Sequence, residues 1–168
     1  MKVYFAHGKE SGPWGFKISR LAEITRACGC DLESIDYSDQ MDPDLRVQRL
    51  LAQLRQETGE IILVGSSMGA YVSVVAAAAI EVRALFLMAP ALYMPGFAVQ
   101  QYQPRCASIE VVHGWSDEVI PAQNAIRFAR EADCSLHLIA ADHVLNGAIT
   151  LVEEIYTDFL NRQLLADA

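Results

Sequence analysis

The run Ile61-Ile62-Leu63-Val64-Gly65-Ser66-Ser67-Met68-Gly69-Ala70-Tyr71 constrains this chain more than any other stretch. Four apolar residues lead straight into a glycine- and serine-rich turn, and an Ala- and Val-rich segment follows from Val72 to Ile80. A short apolar run stopped by glycine reads as a buried strand, and the alanine-rich segment reads as a packed helix. The junction has the pattern G-x-S-x-G with Ser67 at its centre. Strand and helix can meet over so short a turn only if no side chain projects between them. Glycines two residues to either side of Ser67 meet that condition. The serine at the tip then sits in strained backbone, typically at ~1–3 kcal/mol. Its Oγ stands clear of the sheet, and the first N–H groups of the helix point at whatever Oγ attacks.

The rest of the chain repeats the alternation of strand and helix. Lys2 to Ala6 reads as the first strand, followed by the turn-rich His7-Gly8-Lys9-Glu10-Ser11-Gly12-Pro13. Pro13 suits the first position of a helix that runs to about Cys28 and stops at Gly29. Trp14, Ile18, Leu21, Ala22 and Thr25 share one face of it. Leu32 to Tyr37 reads as an outer strand. Asp42-Pro43-Asp44 reads as an N-cap, a proline at N1 and an acidic first turn, opening a helix that stops at Gly59. Val47, Leu50, Leu51 and Leu54 supply its apolar face. Beyond the serine turn, Ala84 to Ala89 is a strand and Leu92 to Gln103 an irregular apolar segment. Ser108 to Val112 is a strand, Pro121 to about Ala132 a helix, Leu136 to Ala140 the last strand, and Asn146 to about Leu165 the closing helix. Six strands, most of them continuous apolar runs between helices, predict an α/β protein: a mostly parallel, doubly wound sheet covered on both faces. No repeat or linker interrupts the 168 residues, so a single domain over 1–168 is expected.

Charge and cysteine content exclude several classes of function. Thirteen basic residues against 21 acidic give a net charge of −8, the opposite of a nucleic-acid surface and no help at an anionic membrane. The apolar stretch from Ala84 to Val99 is broken by Pro90, Pro95 and Gly96 and is too short to span a bilayer. No secretory h-region follows Met1-Lys2. Cys28, Cys30, Cys106 and Cys134 have no zinc-site spacing. They read as free thiols of a cytoplasmic protein, with no metal and no cofactor expected. Gly8 to Gly15 lacks both the dinucleotide pattern and a phosphate-loop lysine.

A serine nucleophile needs a base within hydrogen-bond reach and a group that orients the base. In a parallel sheet such groups gather at the carboxyl ends of the strands. Two further strand-end loops supply them: His113-Gly114-Trp115-Ser116-Asp117-Glu118-Val119-Ile120-Pro121 holds Asp117, and Ala141-Asp142-His143 holds His143. Glu118 is an alternative acid. Asp142 reads as a local hydrogen-bonding residue, Ser66 as a structural neighbour and His7 as a loop-orienting histidine. His113 reads as a satisfied histidine at a strand end, and His137 as one packed on its strand. Trp14, Tyr93, Phe97 and Trp115 fall near the same sheet edge, as candidates either to line an acyl or alcohol pocket or to serve as ordinary core or surface aromatics.

With these features in place the chain resembles the α/β-hydrolases, and among them the small bacterial esterases without a lid domain, the YqiA-like group. It is also similar to the dienelactone-hydrolase and carboxylesterase branches. The matching features are His7-Gly8, the G-S-S67-M-G turn, Gly114-Trp-Ser-Asp117-Glu-Val-Ile-Pro and Asp142-His143, in the order serine, acid, histidine. An N-terminal β-hairpin is missing, and there is no room for a cap after the fourth strand. The resemblance implies a minimal α/β-hydrolase fold and a metal-free serine hydrolase acting on small carboxylic esters or thioesters. In it Ser67 attacks, His143 is the base, Asp117 fixes the histidine, and the N–H groups of Met68 and Lys9 bind the oxyanion. The small-molecule ester is the expected partner, with neither nucleic acid nor membrane. A peptidase or amidase on the same three residues, and a binding protein that keeps the fold without turnover, are the alternatives left open.

Overall fold

The structure is a computed structural model that describes residues 1–166. Asp167 and Ala168, the end of the domain expected over 1–168, lie outside the described residues. The elements in chain order are β1 (Lys2–Ala6), α1 (Phe16–Ala27), β2 (Asp31–Ile35), α2 (Pro43–Leu54), β3 (Ile61–Ser66), α3 (Met68–Ala79), β4 (Val82–Met88), β5 (Cys106–Gly114), α4 (Ala122–Glu131), β6 (Ser135–Ile139), a 3₁₀ turn (Asn146–Ala148) and α5 (Ile149–Leu165). The six strands form one sheet in the order β2-β1-β3-β4-β5-β6. All of its pairings are parallel, where the sequence predicts a mostly parallel sheet.

Strand periodicity sorts the core into two layers. Tyr4, Ala6, Leu63, Leu85 and Leu87 point to the face covered by α2, α3 and α4. Val3, Phe5, Ile62, Val64, Phe86 and Met88 point to the face covered by α1 and α5. β3 is buried along its whole length, as a strand sandwiched between helix layers must be. The chain runs outward from β1 to β2 and then returns across β1 to β3. That reversal places a crevice at the carboxyl ends of β1 and β3, beside the turn that carries Ser67.

Local signals account for most boundaries. The Asp42 carboxylate accepts from the N–H groups of Asp44 and Leu45 at 2.8 and 3.1 Å and caps α2, with Pro43 at N1. At the end of α1, Gly29 takes φ 76°. Its N–H donates to Arg26 O, and that of Cys30 donates to Thr25 O, a Schellman closure. Most strand ends shift from the sequence reading by one or two residues, α5 begins at Ile149 after a 3₁₀ turn at Asn146–Ala148, and two further helix boundaries differ by more than a residue. Helix α1 begins at Phe16, three residues after Pro13, because residues 11–15 form a turn closed by Gly15 N–H on Gly12 O. Trp14 therefore precedes the helix and is 49% exposed instead of sharing its apolar face. Helix α2 ends at Leu54, its last buried residue, well before Gly59. Residues 92–103 form neither helix nor strand.

Candidate active site

Three loops at the carboxyl ends of β3, β5 and β6 meet over the crevice. Ser67 follows β3 directly, with φ 54° and ψ −118°, a backbone region costly for any residue with a side chain. The glycines explain how the turn is tolerated. A Cβ on Gly65 would lie 2.4 Å from Ala70 Cα, and one on Gly69 would lie 1.9 Å from Ala6 O. Helix α3 thus packs backbone to backbone against the ends of β3 and β1. The loops after β5 and β6 are joined in the same way. Trp115 N–H donates to Ile139 O and Ser116 N–H to Ala141 O, and a Cβ on Gly114 would lie 2.2 Å from Ala141 O.

This packing brings Ser67, His143 and Asp117 into one hydrogen-bonded chain. His143 Nε2 lies 3.0 Å from Ser67 Oγ, and His143 Nδ1 lies 2.7 Å from Asp117 Oδ2. A carboxylate only accepts, so Nδ1 carries the proton and Nε2 presents its lone pair to the Ser67 hydroxyl. The Asp117 side chain is fully buried and the His143 side chain 20% exposed. Asp117 Oδ1 accepts from the N–H groups of Val119 and Ile120 at 2.8 and 2.7 Å, so its orientation is held by the backbone of its own loop. Glu118, the alternative acid, is exposed and outside this chain. Asp142 accepts from Leu145 N–H, a local bond as its position suggests.

The other histidines divide by burial. His7 is fully buried; its Nδ1–H donates to Gly8 O at 2.7 Å and its Nε2 accepts from Tyr37 N–H at 2.9 Å. His113 is also fully buried, and here the structure departs from expectation. Its Nε2 lies 3.0 Å from Ile120 O and 3.3 Å from Asp117 Oδ2, whereas its Nδ1 has no partner among the described residues. Nε2 must carry the proton, and protonating Nδ1 as well would bury an N–H without an acceptor. Burial accordingly lowers the pKa of both His7 and His113. Each stays neutral in the fold but gains a proton in the unfolded chain below about pH 6.5, so the unfolded state binds more protons there and stability falls as the pH falls. We expect the melting temperature to drop as pH is lowered from 7.5 to 5, before carboxylates titrate; a flat or rising profile over that window would refute this. His137, expected to be simply packed, instead meets the buried Glu110 carboxylate, which Arg162 also contacts.

The loop after β1 is held from behind by a residue that sequence reasoning missed. Arg46, on α2, is fully buried. It donates from Nη1 to both His7 O and Gly8 O at 3.2 Å, from Nη2 to Tyr37 O and from Nε to Gln40 O. Its place four residues before the buried Leu50 was the available signal. All peptides among the described residues are trans, so a Gly8 carbonyl turned toward Arg46 and His7 sends the Lys9 N–H the opposite way. Gly8 itself borders the serine, since a Cβ there would lie 3.5 Å from Ser67 Cβ. Met68 opens α3, so its N–H is outside the helix's own bonding ladder.

A cavity of about 700 Å³ opens beside Ser67 and His143. Of the four aromatics proposed for it, Phe97 lines the wall. Trp14 and Trp115 are exposed on neighbouring loops, at 49% and 58%. Tyr93 turns away, its hydroxyl donating to Glu131 and its ring lying under Arg127. The remaining apolar wall comes from Phe16, Ile18, Met68, Met94 and Ile120, with Lys17 among them. Among the described residues no group of three or more His, Cys, Asp or Glu side chains is disposed to hold a metal ion. No helix among them is long and apolar enough to cross a membrane.

Comparison with known proteins bears on this fold and site. No curated protein matches the chain. Among solved structures, a protein from Xanthomonas campestris pv. campestris assigned to the alpha/beta hydrolase superfamily shares 32% identity over 96% of this chain and 98% of its own, with a TM-score of 0.87. A second X. campestris protein, described as an α/β serine hydrolase without a lid, shares 24% identity over 96% of this chain and 81% of its own (TM-score 0.69). Est1E from Butyrivibrio proteoclasticus shares 17% over 98% and 88% (TM-score 0.83), a likeness of fold alone. Residues 1–101 match the model of UPF0227, an uncharacterised protein family. With the lid-less α/β-hydrolase fold established, the chain belongs to the UPF0227 family.

Proposed function

We propose that this chain is a serine hydrolase that cleaves small carboxylic esters or thioesters through an acyl-enzyme. The observation that carries this reading is the chain Ser67 Oγ–His143 Nε2, His143 Nδ1–Asp117 Oδ2, with contacts of 3.0 and 2.7 Å, at the mouth of an apolar cavity. His143 Nε2 removes the Ser67 proton as Oγ attacks the acyl carbon. The carbonyl π electrons move onto oxygen, and the Met68 and Lys9 N–H groups bind that oxyanion. Donors fixed in this way typically contribute ~10²–10³ each in rate. Asp117 stabilises the imidazolium and holds its tautomer. His143 then protonates the departing alkoxide or thiolate as the carbonyl re-forms. Water, deprotonated by the same Nε2, attacks the acyl-enzyme, and Ser67 leaves with its proton restored. The backbone clamp of Arg46 and His7 on Gly8 O supports the oxyanion role of Lys9.

The test is pre-steady-state hydrolysis of p-nitrophenyl acetate, followed by a short-chain thioester and an anilide. The expected result is a burst of p-nitrophenol approaching one equivalent, the signature of acylation faster than deacylation, with ester and thioester turned over and the anilide far slower. A folded protein that hydrolyses none of the three contradicts the reading.

A further inference from the structure

The cavity beside Ser67 contains a cation that the hydrolytic steps do not use. Lys17 stands in the first turn of α1, half-buried, and lines the same wall as Ser67 and His143. Among the described residues it makes no hydrogen bond or ion pair. Its surroundings are mostly apolar: Phe16, Ile18, Met68, Phe97 and Ile120 share the wall. The other charged groups of the wall, Lys9 and Glu10, are exposed and solvated at its rim. Asp142 and Asp117 favour the charged form of Lys17 through their own charge, without an ion pair to it. Both carboxylates are already engaged, Asp142 with Leu145 N–H and Asp117 with its own loop and His143.

An ammonium with three donors and no acceptor is costly in such a place. Burial lowers its pKa to about 8, which leaves it mostly charged at neutral pH. A purely alkyl substrate filling the cavity would strip water from Lys17 and return nothing, whereas an ionised acid group would supply the missing acceptor as a charge-assisted bond. The protein carries a net charge of −8, so long-range attraction does not favour anions; selection must come from this local contact.

We propose that Lys17 is a specificity-determining residue, and that the substrate is an ester bearing a second, ionised carboxylate on a short arm, which pairs with Lys17 when the scissile carbonyl is at Ser67. The inference rests on the serine-hydrolase reading and narrows its substrate class. Position gives the side chain this role. Lys17 lies one turn before the buried Leu21 and lines the cavity, a position from which the stem can follow the apolar face and present the ammonium to a bound substrate.

The experiment compares matched esters that differ only in charge: 4-acetoxybenzoate against 4-acetoxybenzamide, which place the group on the alcohol side, and monomethyl adipate against methyl adipamate, which place it on the acyl side. At pH 7 and low salt, the carboxylate member of at least one pair is expected to show a kcat/KM about 10-fold higher or more, mainly through KM. The preference disappears in Lys17→Met and in Lys17→Gln and persists in Lys17→Arg, with folding of each variant checked by thermal melting. Equal kcat/KM within both pairs, or a preference that survives both neutral substitutions, overturns the proposal and leaves the hydrolase standing. No turnover of any of the four esters by folded wild type, with Ser67 unreactive, overturns the hydrolase reading and this inference together.

Discussion

Asp117→Asn is expected to lower kcat by about 10⁴-fold while leaving the fold intact. The size of the effect follows from how the carboxylate is held. Oδ1 accepts two backbone N–H groups, from Val119 and Ile120. In the asparagine variant only the amide oxygen can satisfy those donors, so the NH₂ group is forced into the place of Oδ2. There it faces His143 Nδ1, now 2.7 Å from a carboxylate oxygen. Two donors cannot share that contact. His143 must shift its proton to Nε2, and it then has no lone pair for the Ser67 hydroxyl 3.0 Å away. His113 Nε2–H keeps its bond to Ile120 O, so the loop retains its other supports. The expected measurement is a large fall in kcat with a nearly unchanged melting curve. A loss below tenfold would mean that Asp117 does not set the tautomer.

Gly69→Ala is expected to have the largest effect on stability. The added Cβ would lie 1.9 Å from Ala6 O, 2.4 Å from Ala6 C and 2.8 Å from His7 O. All three are backbone atoms. Ala6 is pinned in the sheet between Ile35 and Gly65, and Gly69 sits in the first turn of a helix buried against that sheet. Neither side can yield without breaking the serine turn. Overpacking costs ~1–3 kcal/mol and occasionally more, and contact with rigid backbone on both sides puts this case at the upper end or beyond. For a chain of this length about 3 kcal/mol corresponds to a drop of roughly 6–12 °C. Gly59→Ala is the control, since a Cβ there meets nothing within 4 Å. Equal melting temperatures for the two variants would contradict the close approach on which the turn depends.

The strand, the serine turn and the two other strand-end loops were legible because each rests on local rules. An apolar run, flanking glycines, and Asp42-Pro43 at a helix start each carry their meaning within a few residues. Arg46 and Lys17 were not legible in that way. Charged residues in helices ordinarily face water, and what keeps Arg46 buried is a set of loop carbonyls as far as 39 positions away. Both do fall four residues before a buried leucine, Leu50 and Leu21, a periodicity that marks their faces as inward. The start of α1 was misplaced because Pro13 satisfies the first helical position equally well as a turn position. The aromatics stay open in the sequence for a related reason: proximity to a strand end does not say which way a ring turns, so Phe97 lines the cavity while Tyr93 is drawn outward by Glu131 and Arg127.

The most direct measurement is labelling with a fluorophosphonate, read by intact mass and peptide mapping, on wild type, Ser67→Ala and His143→Ala. One adduct is expected, located on Ser67, absent from the alanine variant and formed far more slowly without His143. A folded wild-type protein that takes no adduct at neutral pH, or takes it on another residue, would contradict the claim that the strained serine between β3 and α3 is an activated nucleophile.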